Sequence, residues 1–313
     1  MAACLQTTRR AAKNFYYGIR LLPRVKRGAL CAIYAWSRLC DDAVDAPAVS
    51  ATPQRWLAPP MPQAAPPPET TVEGGRDGTA DPLAGPRAVL QRAQGPGYAR
   101  DADPVVHALG DAIRRFALPE PAFAAILRGM EMDLSGTRYE TFDQLRVYCA
   151  CVAGAVGELC LAVFGYTDPQ APALGVEMGV ALQLTNILRD LREDLSMGRI
   201  YLPHEEIAAA GYSLEDLRAL RRTPAFDRLL TQQVDRASDL FARSERLFAM
   251  VAPDARLCLM VLHGVYRALL GDIAARPDAL MSRRLHVSTA RKLRMALGLM
   301  LHQRQVTTAR VSS

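Results

Sequence analysis

An all-α fold, a bundle of about eight to eleven helices closed around a central cavity, is predicted by three observations. From residue 105 onward apolar residues recur at helical spacing almost without relief. The interruptions fall at Pro119, Gly136, Pro169, Pro203, Pro224, Pro253 and Pro277, residues that end helices by withholding an amide or permitting a left-handed turn. No stretch reads convincingly as a strand. With 50% of its 313 residues apolar, the chain can bury a substantial core, and a single domain over 1–313 suffices.

In chain order, residues 7–45 read as two helices broken near Pro23. Tyr16, Ile19 and Leu22 step along one side of the first helix, and Ala29, Ile33, Trp36 and Cys40 along the second, as core positions. Residues 46–104 change character: 12 of the 21 prolines fall there, with the runs EGGRDG, AGP and GPG. That composition predicts a mobile linker of polyproline II character beside the end of the second helix. Helices are then expected over 105–117, 120–135, 141–165, 171–197, 213–221, 224–249, 253–275 and 286–303. Ala150, Ala153, Gly154 and Gly157 remove side-chain volume from one of them, which suits close helix packing or room for a long apolar ligand.

The chemistry centres on QLTNILRDLREDLSMGRIYLP, residues 183–203. Asp190 and Asp194 lie four apart, so on a helix both carboxylates project from one face. Gln183 and Asn186 share much of that face. Such an all-oxygen set suits Mg²⁺, a hard ion that takes the rest of its shell from water and phosphate oxygens. Arg189, Arg192 and Arg199 add donors for phosphate. An isolated DxxxD is usually a solvated charged face. Here YAWSRLCDDAVD, residues 34–45, repeats the spacing at Asp41 and Asp45, with Arg38 one turn before and Tyr34 one turn earlier. Two such faces could line opposite walls of one cavity and clamp a diphosphate through Mg²⁺.

With NFYYGIRLLP (14–23) and YCACVAGAVGELC (148–160), these stretches resemble the squalene and phytoene synthase family of head-to-head prenyltransferases, in the same order and over most of the chain except 46–104. The resemblance implies the isoprenoid synthase type of helical bundle, prenyl diphosphate substrates and Mg²⁺ held by Asp41, Asp45, Asp190 and Asp194. It matches Tyr148 to the family's tyrosine associated with the chemistry, with Arg38 and Arg189 assisting departure of the diphosphate. Asn14, where the family commonly has Ser, joins Tyr34, Gln183, Asn186, Arg199, Tyr266 and Arg283 as substrate-binding positions. A modest likeness to bacterial presqualene-diphosphate-forming enzymes points to two farnesyl diphosphates. The alternatives are a phytoene synthase acting on geranylgeranyl diphosphate and a non-catalytic relative acting in protein assembly, for which loss of the aspartates would be expected. A chain elongase or cyclase would use similar carboxylates, but the DDxxD of an elongase is not read at 41–45 or 190–194.

Seven cysteines without paired CxxC spacing read as small buried residues in a reducing compartment, neither a zinc site nor a disulfide framework. A net charge of +6 with only 6% aromatic residues and no basic motif fits diphosphates and an anionic membrane surface better than nucleic acid. No apolar run follows Arg9, Arg10 and Lys13, so a cytoplasmic location is expected, with peripheral bilayer contact left open. The apolar runs 147–166 and 257–271 are interrupted by Glu158, His263 and Arg267 and read as buried helices. No GxGxxG follows a strand, and NADPH use stays open.

Overall fold

Pro23 and the turn before it set the entry to α1, Arg24–Asp45. The computed structural model describes residue 4, residues 18–45 and residues 81–311, the side chains of 302–311 excepted. Asn14, Tyr16 and most of the first expected helix lie outside the described residues. On α1 the expected core face is buried: Ala29, Ile33, Trp36 and Cys40 are at most 4% exposed. Trp36 is the anchor. Its ring meets Phe123 edge-on at 5.2 Å, and its indole N–H donates to the Pro86 carbonyl at 3.0 Å.

That bond corrects the linker expectation for its C-terminal part. Residues 84–94 form α2, Ala84–Gln94, which packs on α1 and on α3, Pro104–Phe116. The apolar positions within AGPRAVLQRAQ recur at helical steps, and Leu83, Pro86, Val89, Leu90 and Ala93 are buried. Pro86 sits in the first turn, where an amide would have no intrahelical partner anyway. Proline density masked a helix that carries a proline in its first turn. Residues 46–80 lie outside the described residues. Replacing 81–96 by a Gly/Ser connection is therefore expected to lower stability by several kcal/mol, since truncating one buried leucine such as Leu83 to Ala costs about 2–5 kcal/mol. A thermal melt unchanged by that replacement would show that α2 contributes nothing to the core.

The remaining helices follow the predicted breaks. They are α4 (Glu120–Leu134), α5 (Phe142–Cys149), α6 (Ala155–Phe164), α7 (Ala171–Arg189), α8 (Leu191–Ser196), α9 (His204–Ala209), α10 (Leu214–Arg218), α11 (Pro224–Ser244), α12 (Leu247–Met250), α13 (Pro253–Ala275), α14 (Pro277–Ser282) and α15 (Thr289–Val311). The total of fifteen among the described residues exceeds the expected number because several long stretches are subdivided and short α9 and α14 were unforeseen. Capping is local. Asp103, Thr141, Ser213 and Thr223 each accept an amide of the following first turn. There is no strand among the described residues, only an isolated bridge between Tyr166 and Val251.

Two apolar clusters make the core, one built on α1 to α4 with α6, the other on α7, α11 and α13, and Val152 and Leu182 touch both. Between α5 and α6 the chain makes one wide π turn, Ala150–Gly154, packed against α4 and α7. Small residues permit that approach. A Cβ on Gly179 would lie 2.5 Å from the Ala153 carbonyl oxygen, and one on Gly157 only 2.6 Å from that of Gly175. Three helices, Phe142–Phe164, Ala171–Arg189 and Pro253–Ala275, are long and apolar enough to cross a membrane, and in this fold 50–61% of each apolar window is buried inside the bundle. All seven cysteines lie outside any disulfide and are at least partly buried.

Candidate active site

Two acidic helix faces meet across one cavity of about 640 Å³, the size of a full ligand site. Asp41 and Asp45 line it from the last turns of α1; Asp190 and Asp194 line it from the junction of α7 and α8, beside Gln183, Asn186 and Arg189. Although α7 stops at Arg189, the Asp190 amide donates to Asn186 O at 2.8 Å and the Asp194 amide to Asp190 O at 2.9 Å. The helical path thus runs through the junction, and the two carboxylates keep their shared face.

A direct bond joins the two walls. Arg199 donates through Nη1 to Asp45 Oδ1 at 3.0 Å and through Nη2 to the Val44 carbonyl at 3.5 Å. Gly198 makes this reach available: at φ 77° it ends α8 in the left-handed region, and the Arg199 amide folds back onto Asp194 O at 2.8 Å. The Gly-Arg pair of SMGRIYLP is therefore a helix stop that aims a guanidinium at the opposite acidic face.

The site is electrostatically uneven. Burial pushes the Asp41 carboxyl up to about 7, with Arg38 opposing and Asp45 and Asp42 adding to the rise. Burial likewise pushes Asp194 up to about 7, with Asp190 as the next cause. The Asp41 side chain is 46% exposed, so water in the cavity screens part of this effect. Asp190 is instead held by cations: Arg189 Nε donates to its Oδ1 at 2.7 Å, and Arg284 Nη2 to its Oδ2 at 2.9 Å.

These residues fit a hard divalent cation. Asn186 Oδ1 and Glu193 Oε2 are buried with no hydrogen-bond partner, and two neighbouring carboxyls favour the proton that a cation would replace. Among the described residues no three His, Cys, Asp or Glu side chains converge to hold a metal by themselves. Mg²⁺ ordinarily completes its shell with water and with phosphate oxygens of a ligand.

Of the other residues singled out from sequence, Tyr34, Arg38, Tyr148, Arg199 and Tyr266 all line the cavity. Burial raises the Tyr34 hydroxyl to about 12, so it stays a neutral donor. Arg38 spends its charge on the α1 acids, 2.5 Å from Asp42 and 3.8 Å from Asp41. Three expectations need correction. Arg283 does not line the cavity; Arg284 does. The backbone at Arg283 is extended (φ −156°, ψ 156°), so consecutive side chains point opposite ways, and the second arginine faces Asp190. Arg192 turns to the Ser282 carbonyl instead of the cavity. Residues 41–45 spell DDAVD, so the letters of a DDxxD do stand at the first site, but Asp42 turns to Arg38 and is absent from the lining.

Sequence reading missed a fifth aspartate. Asp133, near the end of α4, accepts the Tyr148 hydroxyl at 2.9 Å and the Tyr201 hydroxyl at 2.8 Å. The Tyr148 and Tyr201 rings stack at 5.1 Å, and Tyr139 packs on both. Burial raises Asp133 and holds the Tyr148 phenol well above its ordinary range, so Tyr148 remains protonated and fixed in direction. Asp133 lies in EMDLSGTRY and Tyr201 in GRIYLP; no periodicity shows that residues 68 apart share a bond. Beyond this polar end the cavity is apolar, walled by Val152, Val156, Phe164, Met178, Leu182 and Leu259 among others.

Known proteins resemble this chain in sequence and fold. A family model described as squalene/phytoene synthase matches residues 8–291. A phytoene synthase of Mycobacterium tuberculosis is 38% identical over 296 residues, covering 92% of this chain and 86% of that protein. One of Arthrospira platensis is 32% identical over 303 residues, covering 93% and 89%. Among solved structures, a dehydrosqualene synthase in complex with ligand superposes with a TM-score of 0.79 at 26% identity, covering 97% of this chain and 96% of that one. A squalene synthase of Alicyclobacillus acidocaldarius gives 0.69 at 27% identity, covering 88% and 94%. A family model spanning nearly the whole chain, relatives above 30% identity and two facing aspartate pairs lead to one conclusion: this chain belongs to the squalene/phytoene synthase family, a family of prenyltransferases.

Proposed function

We propose that the chain condenses two molecules of geranylgeranyl diphosphate head to head, through a cyclopropylcarbinyl diphosphate, to phytoene. The observation that carries the reaction class is the pair of aspartate faces opposed across one cavity and joined by the Arg199–Asp45 bond. The choice of the C20 substrate rests on the relatives named phytoene synthase, at 32–38% identity over more than nine-tenths of the chain. Farnesyl diphosphate, the expectation from sequence, is the second reading, favoured by the dehydrosqualene and squalene synthases among the structural neighbours. The four facing aspartates speak against a non-catalytic role in protein assembly.

Bound at Asp41, Asp45, Asp190 and Asp194, with Asn186 as a neutral ligand, Mg²⁺ supplies charge neutralisation for the departing diphosphate. The protein's own groups do the rest. Arg189 and Arg284 exchange Asp190 for diphosphate oxygens, and Arg38 and Tyr34 donate from the α1 side, so that the C1–O bond of one substrate breaks with its electron pair on the leaving group. The apolar walls around Val152, Phe164 and Met178 exclude water from the allylic cation and hold the double bond of the second substrate against it. Tyr148, fixed by Asp133, stands at the junction of the polar and apolar parts. It takes the proton released on ring closure while passing its own to the Asp133 carboxylate, which the 2.9 Å bond already aligns. A second ionisation, rearrangement and proton loss then give the C40 product. Two diphosphates and two protons leave, so this route needs no reductant; a squalene product would need a hydride donor such as NADPH.

Incubation of the purified protein with Mg²⁺ and either the C20 or the C15 diphosphate, followed by lipid extraction, tests the reading. Phytoene from the C20 substrate without NADPH, at a preference of about tenfold or more, is expected. Presqualene diphosphate from the C15 substrate alone would overturn the substrate choice. Absence of a head-to-head product from both would overturn the reaction.

A further inference from the structure

The C-terminal helix α15 carries an apolar surface that the site does not use. Its inner face packs on α13, with Lys292 and Ala296 buried, while on its outer face Leu293, Leu297 and Leu301 are 53%, 56% and 53% exposed. Steps of four place these three leucines in one stripe. A helix apolar on both sides is ordinarily covered on both. The other exposed large apolar side chains, such as Val25, Val147 and Tyr166, do not form such a helical series.

Charge says what covers the stripe. Over its 23 residues α15 contains Arg291, Lys292, Arg294, Arg304 and Arg310, and no Asp or Glu. Arg291 is paired with Asp272 of α13 at 2.8 Å, while Arg294 is exposed next to Leu293. A leucine stripe on a helix whose only formal charges are positive matches a bilayer surface bearing anionic headgroups: the leucines enter the acyl boundary and the arginines meet phosphates. We infer that α15 is a membrane-docking helix that lies in the plane of an anionic lipid surface through Leu293, Leu297 and Leu301.

Flotation of the full chain with vesicles tests this independently of catalysis. On phosphatidylcholine vesicles containing about one-third phosphatidylglycerol, the parent should float, and raised salt should weaken the association. The double variant L293E/L297E should reduce the floated fraction by about tenfold or more while keeping the parent's helical content and its turnover of detergent-dispersed substrate. A parent that stays at the bottom of the gradient, or a double variant that floats with it, would overturn the inference. So would a parent dimer in light scattering that L293E/L297E dissociates without any flotation, an outcome that assigns the stripe to a second copy.

Discussion

Asp41→Ala and Asp190→Ala should each lower turnover by about 10³-fold while leaving the helical fold intact. The size follows from what each carboxylate does. Asp41 is the proposed ligand on the α1 wall, its proton affinity raised by burial, and removing it takes away one side of the clamp without unpairing anything the fold depends on. Asp190 is the proposed ligand on the opposite wall and is also the anion that holds Arg189 and Arg284. Its loss should raise KM for the diphosphate as well as lower kcat, because two guanidiniums lose their resting place. A melting temperature close to the parent's is expected for Asp41→Ala, since a crowded acidic site loses repulsion when one member goes, whereas Asp190→Ala should keep the fold but melt lower, because the buried Arg189 loses its partner. Activity within twofold of the parent for both would sink the clamp.

The second large effect concerns the residue that sequence reading missed. Asp133→Asn should reduce kcat by about 10²-fold with a much smaller change in KM, and Tyr148→Phe should do at least as much. Asn is nearly isosteric, but its amide presents two donors where Tyr148 and Tyr201 now both donate, so one phenol must turn away. The two variants should be strongly non-additive, because they disable the same proton path. A merely structural Asp133 would lower stability and leave kcat of the folded fraction unchanged; that pattern would remove it from the mechanism.

How far the sequence could be read depended on whether the relevant contacts were local. The two DxxxD faces are local features of a helix, so Asp41 with Asp45 and Asp190 with Asp194 were legible from spacing, and the doubling made them a site. The small-residue stripe was legible as volume removal, and the structure shows its use in both ways: Gly157 and Gly179 permit close backbone approach and also line the cavity. The Asp133–Tyr148–Tyr201 cluster was not legible, because it joins α4, α5 and a loop through side chains without a shared period. Arg283 was chosen over Arg284 because an extended dipeptide offers two faces and the sequence does not say which is inward. α2 was hidden by its own prolines, and only the burial of Leu83, Val89 and Leu90 reveals it as core.

The account rests on the two acidic walls acting together on one diphosphate. Crystals grown with Mn²⁺ in place of Mg²⁺ and a non-ionisable prenyl diphosphate analogue test this most directly through the anomalous signal of the metal. The expected map has metal peaks between the carboxylates of Asp41 and Asp45 on one side and Asp190 and Asp194 on the other, with diphosphate oxygens bridging them and Arg284 moved from Asp190 to the ligand. A diphosphate bound elsewhere, or metal held by one aspartate pair alone with the other still capped by arginine, would contradict it.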